Sequence, residues 1–277
     1  MTSNNERAHG VTPELQRDYS LRSAEKQAAF ILPYLKTGMT IIDVGCGPGT
    51  ITTGLAQAVY PGEVKGIDHD SKNIEKAKKN AAEDGIENLS FMKGDAFSLP
   101  FDDETFDGAF ENNLFIHLSE QSIECAREIF RVLKTGSFFG VRDADADSVI
   151  WGNISEPLKE LDRLFKKWHN SRGSDIALGK NLPAILNKAG LNNCITSVSA
   201  DTKGTPEAVH SHAEITVSLI EGPFGEAALK NKWADKNTLE KIKDTIKKWG
   251  DHPDSFFSNV HIEVIGWKTG AGNGRDL

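Results

Sequence analysis

The feature that most constrains the fold is residues 41–50, IIDVGCGPGT, where an apolar run leads directly into a glycine-rich turn. Gly45, Gly47 and Gly49 stand at alternate positions, and a helical pattern follows over about 49–59. Glycine accepts a positive φ and lets a ligand approach the main chain closely. A strand, a glycine turn and a helix in this order are typical of a ligand site at the carboxyl edge of a parallel sheet.

The remaining patterns predict an α/β fold in the first half of the chain. Helical patterns, including a long one at 23–36, alternate with apolar runs, which indicates crossover units and a parallel sheet. The strands predicted in this half cover 40–44, 64–68, 89–93, 106–111 and 137–142. The second half predicts helices at 158–169 and 177–189, a strand at 194–200, interrupted helices over 203–252 and a long strand at 256–267.

Length and composition predict one globular domain of 277 residues and restrict its partners. A net charge of −8 disfavours nucleic acid, which is itself polyanionic. The three cysteines are widely spaced, so neither a disulfide framework nor a zinc site is expected. The start of the chain is polar and no apolar run approaches the ~18 residues of a membrane span. We therefore expect a cytoplasmic protein with no membrane span, and the sequence is compatible with a homodimer.

The glycine turn excludes one class of phosphate site and disfavours another. A P-loop needs a lysine after its last glycine, and none is present here. The dinucleotide fingerprint is G-x-G-x-x-G, whereas this turn reads G-x-G-x-G with Thr50 at the third fingerprint position. Asp43 stands two residues before the first glycine, where a carboxylate repels a pyrophosphate and attracts a cationic ligand. A NAD(P)-dependent oxidoreductase is therefore the weaker alternative.

The stretch DVGCGPGT resembles motif I of class I S-adenosylmethionine-dependent methyltransferases, most closely the small-molecule branch of menaquinone and ubiquinone biosynthesis (UbiE-like). Three further stretches match in the same order: VKGIDHD, GDAFSLPFDDETFDGAF and RVLKTGSFFGVRD. The resemblance covers about residues 19–151. It implies a Rossmann-like, seven-stranded sheet flanked by helices, with an antiparallel last strand. It also implies N-terminal helices within 1–38, a cofactor-binding half at 39–150 and a helical lid at 203–252, between strands six and seven.

The resemblance places S-adenosylmethionine at the ends of the first four strands. Asp68, at the end of strand two, is expected to accept hydrogen bonds from the ribose hydroxyls, as for any adenosine ligand. Asp95 is expected to accept from the adenine amino group, and the backbone of the glycine turn to contact the methionine part. The full set of residues expected to bind the cofactor is Asp43, Gly45, Cys46, Gly47, Asp68, His69, Asp95, Ala96, Phe97, Glu111 and Asn112.

Methyl transfer from a sulfonium needs alignment first, and a general base only when the acceptor must lose a proton. His117, after strand four, and Asp143, after strand five, are the candidate catalytic residues. His117 alternatively packs on its loop, and Asp143 alternatively caps a turn or pairs beside Arg142. The acidic run DADAD at 143–147 predicts a solvated loop rather than a metal site.

The acceptor is expected to be a small aromatic or hydrophobic molecule bound under 203–252, because the second half of the chain holds most of the tryptophans. Most of these aromatic residues are expected to form the core of the lid itself. Two more functions stay open from sequence. A methyltransferase acting on nucleic acid is disfavoured because no basic groove is predicted, and a non-catalytic S-adenosylmethionine-binding protein would keep the same motifs.

Overall fold

A computed structural model describes residues 12–270, so residues 1–11, the start of the predicted N-terminal segment, and 271–277 lie outside it. The strands are β1 Ile41–Val44, β2 Val64–Asp68, β3 Leu89–Lys93, β4 Phe106–Asn112, β5 Leu133–Ala144, β6 Ile150–Trp151, β7 Asn192–Lys203 and β8 Phe257–Trp267. The α-helices are α1 Pro13–Tyr19, α2 Ala24–Gln27, α3 Thr50–Val59, α4 Ser71–Glu83, α5 Phe115–Leu118, α6 Ser122–Val132, α7 Glu156–Ser171, α8 Leu182–Ala189, α9 Pro206–Glu221, α10 Pro223–Lys230 and α11 Lys236–Gly250. Short 3₁₀ turns cover Leu32–Tyr34, Ser119–Gln121 and Leu178–Asn181.

The strands form one sheet in the order β3-β2-β1-β4-β5-β8-β6, and β7 also pairs with β8. Strands β1 to β5 pair in parallel, with Asp43 opposite Gly66 of β2 and opposite Phe110 of β4. The carboxyl ends of these strands therefore meet at one edge of the sheet, and the order reverses between β1 and β4. This arrangement confirms the predicted Rossmann-like α/β sheet. The structure adds β6, a two-residue strand that pairs antiparallel with β8.

Local sequence explains why these elements start and stop where they do. Strand β2 follows the turn at Pro61 and Gly62, and Asp70 then begins α4 by accepting a hydrogen bond from the Lys72 amide at 2.9 Å. Helix α6 places Cys125, Ala126 and Ile129 on its buried face, the periodicity that a helix packed on a sheet requires. The ends of these elements fix where each loop of the sheet edge begins.

The long helix predicted at 23–36 is wrong. The structure has only the four-residue α2 and a 3₁₀ turn at Leu32–Tyr34. Pro33 lies inside the predicted helix, where it lacks the amide donor and its ring clashes with the preceding turn. The apolar spacing of this segment nevertheless serves packing, because Ala24, Ala28 and Ile31 are buried in the same cluster as Leu55 of α3.

The chain divides into two compact units. Among the described residues, the sheet unit comprises 19–143, 178–198 and 262–270, and the helical unit comprises 12–18, 144–177 and 199–261. The helical unit has its own hydrophobic core, to which α7, α9, α10 and α11 contribute. Phe224 and Trp249 of the predicted lid region are buried in this core together with Trp168 of α7, which confirms the interpretation that most aromatic residues of the second half pack internally. Within residues 12–270, no helix is long and apolar enough to cross a membrane.

Candidate functional site

The glycine turn after β1 is fixed to β2 by backbone hydrogen bonds. The amides of Gly45 and Cys46 both donate to the carbonyl of Ile67, at 2.7 and 3.0 Å. Gly45, Gly47 and Gly49 all have positive φ, of 78°, 53° and 80°. A side chain at these positions would strain the backbone, so the turn needs glycine on conformational grounds alone.

Gly47 and Gly49 differ in what surrounds them. A Cβ added to Gly49 would lie 2.6 Å from Phe91 Cζ of β3 and 2.9 Å from Ala77 Cβ of α4, so this glycine permits the start of α3 to pack closely against both elements. A Cβ on Gly47 would meet no atom of residues 12–270 within 4 Å. Open space beside Gly47 is what a turn that receives a ligand requires.

Asp43 lies beneath the turn as a buried carboxyl group, with 2% of its surface exposed. Thr52 of α3 donates its hydroxyl to Asp43 Oδ2 at 2.6 Å. Burial, opposed by this hydrogen bond and assisted by the neighbouring Asp68, raises the pKa of Asp43 from 3.8 to about 7. Asp43 therefore joins β1 to α3 and places an ionisable group directly under the turn.

Asp68 at the end of β2 is held by backbone amides on both sides. Gly47 donates to Asp68 Oδ2 at 2.9 Å, and Asp70 donates to Asp68 Oδ1 at 2.8 Å. Each carboxylate oxygen accepts up to two hydrogen bonds, so Oδ2 keeps acceptor capacity. His69 follows with an imidazole that is 57% exposed and 3.5 Å from Asp68 Oδ1. The carboxylate is thus fixed beside the glycine turn while His69 is open to solvent.

Two predicted residues serve local structure in addition to any ligand. Cys46 packs its thiol among Ile74, Ala77 and Phe91, so only its backbone belongs to the turn, and burial raises the pKa of the thiol well above 9.0. Asp95 is exposed and accepts the amide of Phe97 at 3.0 Å, which orders the segment after β3. Ala96 and Phe97 are half-buried on that segment.

Buried polar side chains occupy the end of β4. Asn112 is 9% exposed, and its Oδ1 accepts from Arg142 Nη1 at 3.0 Å, which directs the amide nitrogen the other way. That Nδ2 atom has no hydrogen-bond partner among the described residues. Arg142 is 1% exposed, and its Nε lies 3.5 Å from Glu263 Oε1 of β8. The ion pair keeps the guanidinium compensated inside the sheet unit.

Glu111 and Asp143 contact the turn that carries His117. Leu114 donates its amide to Glu111 Oε2 at 2.9 Å, and Ile116 donates to Asp143 Oδ1 at 3.2 Å. Both carboxyl groups are fully buried. His117 itself lies in α5, half-buried, with its amide bonded to the Leu114 carbonyl at 3.0 Å. The structure therefore brings the two candidate catalytic residues to the same turn.

The prediction that 143–147 forms a solvated loop is wrong. Asp143 lies in β5, which extends to Ala144, and Asp145 is only 4% exposed. In the helical unit Ser148 donates its hydroxyl to Asp145 Oδ2 at 2.7 Å. Hydrogen bonds from nearby donors offset the cost of burying these carboxyl groups. The acidic run in the sequence does not reveal which residues supply those donors.

Sequence reasoning missed three contacts of the site: Thr52 with Asp43, Arg142 with Asn112, and Glu263 with Arg142. Thr52 follows Asp43 by nine residues and lies on the inner face of the helix after the glycine turn. A hydroxyl residue at that position could have predicted the hydrogen bond to Asp43. The pairing of Arg142 with Glu263 joins distant strands, β5 and β8, so spacing along the chain gives no indication of it.

The strand order, the glycine turn and the acids after β2 and β3 define the fold of class I S-adenosylmethionine-dependent methyltransferases. The family described as "Methyltransferase domain" matches residues 35–190, more than half of the chain, and the protein belongs to that family. Its cofactor is S-adenosylmethionine, and it is an enzyme of methyl transfer. Family membership decides against the oxidoreductase alternative.

Two relatives and one solved structure illustrate the similarity. The probable methyltransferase ltbC of Aspergillus luteorubrus is 27% identical over 278 residues, which cover 94% of this chain and 96% of that protein. Sterol 24-C-methyltransferase erg6 of Aspergillus fumigatus is 36% identical over 111 residues, 39% of this chain and 28% of that protein. The YcgJ protein of Bacillus subtilis has a TM-score of 0.57 at 19% identity, over 88% of this chain and 99% of that one, and shows the shared fold.

Proposed function

We propose that this protein transfers the methyl group of S-adenosylmethionine to a small aromatic or hydrophobic acceptor, with the cofactor held at the carboxyl ends of β1 to β4. The observation that carries the proposal is the open space at Gly47 next to the fixed carboxylate of Asp68. Both features lie in the sheet unit, where the strand order reverses.

The described residues fit the chemical parts of this cofactor. Asp68 would accept from the ribose hydroxyls through its remaining lone pairs, and Asp95 would accept from the adenine amino group beside Phe97. The backbone at Gly47 would contact the methionine part. Asn112 Nδ2 is a buried donor that lacks a partner among residues 12–270, and the methionine carboxylate would supply one.

His69 and Ala96 complete the predicted adenosine site, with His69 beside the adenine. Gly45 contributes backbone, and Asp43 supports the turn and favours a positive ligand. These assignments rest on the position of each residue at the sheet edge and on the family to which the chain belongs.

When bound, the cofactor supplies an activated methyl group on a sulfonium. His117 would then remove the acceptor proton where the acceptor is a hydroxyl or an amine, a contribution of about 10²–10⁴-fold. Its half-buried position on a turn fixed to β4 and β5 supports this role, because a base must be both held and reachable.

Two observations support a small hydrophobic acceptor. The net charge of −8 disfavours polyanionic acceptors. The chain is also similar, over residues that cover 28% of that protein, to an enzyme named for methylating a sterol. The UbiE-like branch, a cofactor-binding half at 39–150, a lid at 203–252, a homodimer and a cytoplasmic location stay predictions.

Transfer of radiolabel from S-adenosylmethionine tests the proposal. The protein is incubated with labelled cofactor and a panel of phenols, sterols and apolar alcohols, with a short DNA duplex and an RNA hairpin as separate arms. We expect label in the organic extract for at least one apolar acceptor. Label confined to nucleic acid, or S-adenosylhomocysteine binding with no transfer to any arm, would contradict the acceptor class.

A further inference from the structure

The five-residue turn 114–118, which carries His117, is hydrogen-bonded through its backbone amides to two buried carboxyl groups on neighbouring strands. We propose that Glu111 and Asp143 are positioning residues that share one proton, carried by Glu111, and together fix this turn. The inference rests on the proposed function in one respect, the role of His117 at the acceptor. We call the two carboxyl contacts to residues 114–118 the clamp. The geometry of the clamp is independent of the role of His117.

Each carboxyl group binds the turn through one oxygen. Glu111 Oε2 accepts the Leu114 amide at 2.9 Å, and Asp143 Oδ1 accepts the Ile116 amide at 3.2 Å. The other oxygens, Glu111 Oε1 and Asp143 Oδ2, are buried and have no hydrogen-bond partner among the described residues. A hydrogen bond between the two side chains would give each of these orphan oxygens a partner. The two remaining oxygens are the atoms available for that bond.

A hydrogen bond between two carboxyl groups requires one proton between them. Burial first, and then the charge of Asp143, raises the pKa of Glu111 well above 4.5, with a smaller contribution from Asp43. Both carboxyl groups accept an amide of the turn, but Asp143 also lies near the positive charge of the Arg142 guanidinium, which opposes the rise that burial causes in its pKa and which Glu111 lacks. The proton therefore belongs on Glu111, which donates to the Asp143 carboxylate.

The remaining contacts of the turn hold it at its other side. Ser122 donates its hydroxyl to the Phe115 carbonyl at 3.1 Å, and Phe115 packs edge-on against Phe139 of β5 with ring centroids 6.0 Å apart. His117 thus extends from a segment fastened to β4, β5 and α6. Loss of either carboxyl contact would free the backbone amide on one side of His117.

If the shared proton lies on Glu111, replacing Glu111 by glutamine and replacing Asp143 by asparagine should have opposite effects on the clamp. Glutamine at position 111 offers an acceptor to Leu114 and a donor to Asp143, which is what protonated Glu111 offers. Asparagine at position 143 must meet two donors, the Ile116 amide and the Glu111 hydroxyl, with one acceptor and one donor. Glu111→Gln therefore preserves the clamp and Asp143→Asn breaks it, although both changes are of the same size and type.

Amide hydrogen exchange by NMR on the full chain measures the clamp directly. In Asp143→Asn we expect exchange of the Ile116 amide to accelerate by about 5–150-fold, the cost of an unsatisfied buried donor, and the His117 imidazole signals to shift. In Glu111→Gln we expect less than about a threefold change at Leu114 and Ile116. Glu111→Leu offers no acceptor, so exchange of the Leu114 amide should accelerate in that variant. Circular dichroism checks that each variant is folded.

Turnover then tests whether the clamp acts through His117. Asp143→Asn should lower kcat with little change in KM for S-adenosylmethionine. In a His117→Ala background the same substitution should cost less than about a further twofold, because residues that act through one another are not additive. Fully additive losses would show that Asp143 acts directly.

Three NMR outcomes would overturn the proposal. Tolerance of Asp143→Asn with disruption by Glu111→Gln would place the proton on Asp143. Equal effects of the two amide variants would exclude a shared proton. Unchanged exchange and unchanged His117 signals in all three variants would exclude the clamp. These readouts need no acceptor, so a failure to find methyl transfer would leave the clamp separately tested.

Discussion

Replacing Asp43 by asparagine should stabilise the ligand-free protein, increasingly so as the pH rises. The asparagine side chain no longer favours a cationic cofactor, but it keeps an oxygen that accepts the Thr52 hydroxyl now bound at 2.6 Å. It also removes a buried group that must ionise. The predicted stabilisation is therefore the cost of that ionisation.

The magnitude follows from the raised pKa. Burial is the largest cause that takes the pKa of Asp43 from 3.8 to about 7 in the folded chain. Between these values the folded protein holds a proton that the unfolded chain has released, so wild-type stability falls by about 1.36 kcal/mol per pH unit. Above about pH 7 the loss is complete and amounts to roughly 4 kcal/mol at most, whereas the asparagine variant loses nothing at this position.

Urea unfolding at several pH values between about 5 and 8 measures this difference. The free energy of unfolding of Asp43→Asn minus that of the wild type should grow with pH and level off near about pH 8. Asp84→Asn, the same change at an exposed position of the sheet unit, is the matched control and should show no such growth. A difference that is constant with pH, or that favours the wild type at the upper end of this range, would refute the reasoning.

Four further variants test the cofactor site, the base and the packing of the glycine turn. Asp68→Ala should weaken S-adenosylhomocysteine binding by about 1–3 kcal/mol, and unchanged affinity in calorimetry would remove its assigned role. His117→Ala should lower turnover by about 10²–10⁴-fold, and a large loss of cofactor affinity would move this residue to the cofactor site. Gly49→Ala should destabilise the fold by at least about 1–3 kcal/mol through its 2.6 Å approach to Phe91. Gly47→Ala should destabilise the fold less, through its positive φ alone, and should also reduce cofactor affinity; equal unfolding midpoints for the two alanine variants would contradict this contrast.

Local signals are sufficient for the elements that position the cofactor. The sequence predicts strand β2 at its observed bounds because a Pro-Gly turn precedes it and Asp70 begins the next helix. The helix predicted at 23–36 does not form because Pro33 lacks the amide that a helix needs, whatever the apolar pattern around it. Periodicity reports which residues are buried, and it does so here even where the helix itself does not form.

The polar connections of the site lie beyond what the sequence can predict. Asp143 follows a predicted strand, but its burial depends on the amide of Ile116, which is presented by a turn after a different strand. Proton sharing with Glu111 depends in turn on the register of β4 against β5, where Glu111 pairs with Val141. Such contacts arise from the assembled sheet, so the motif indicates the region and only the structure reveals the partners.

The central claim, a cofactor site built on the glycine turn and Asp68, is tested most directly by thermal unfolding with candidate ligands. S-adenosylhomocysteine at about 100 times its dissociation constant adds ~2.7 kcal/mol of stability, which corresponds to roughly 5–10 °C for a chain of this size. We predict that shift for the wild type with S-adenosylhomocysteine, a much smaller one for Asp68→Ala at the same concentration, and none with NAD or NADP. A shift produced only by a nicotinamide nucleotide, or an equal shift in wild type and Asp68→Ala, would contradict the account.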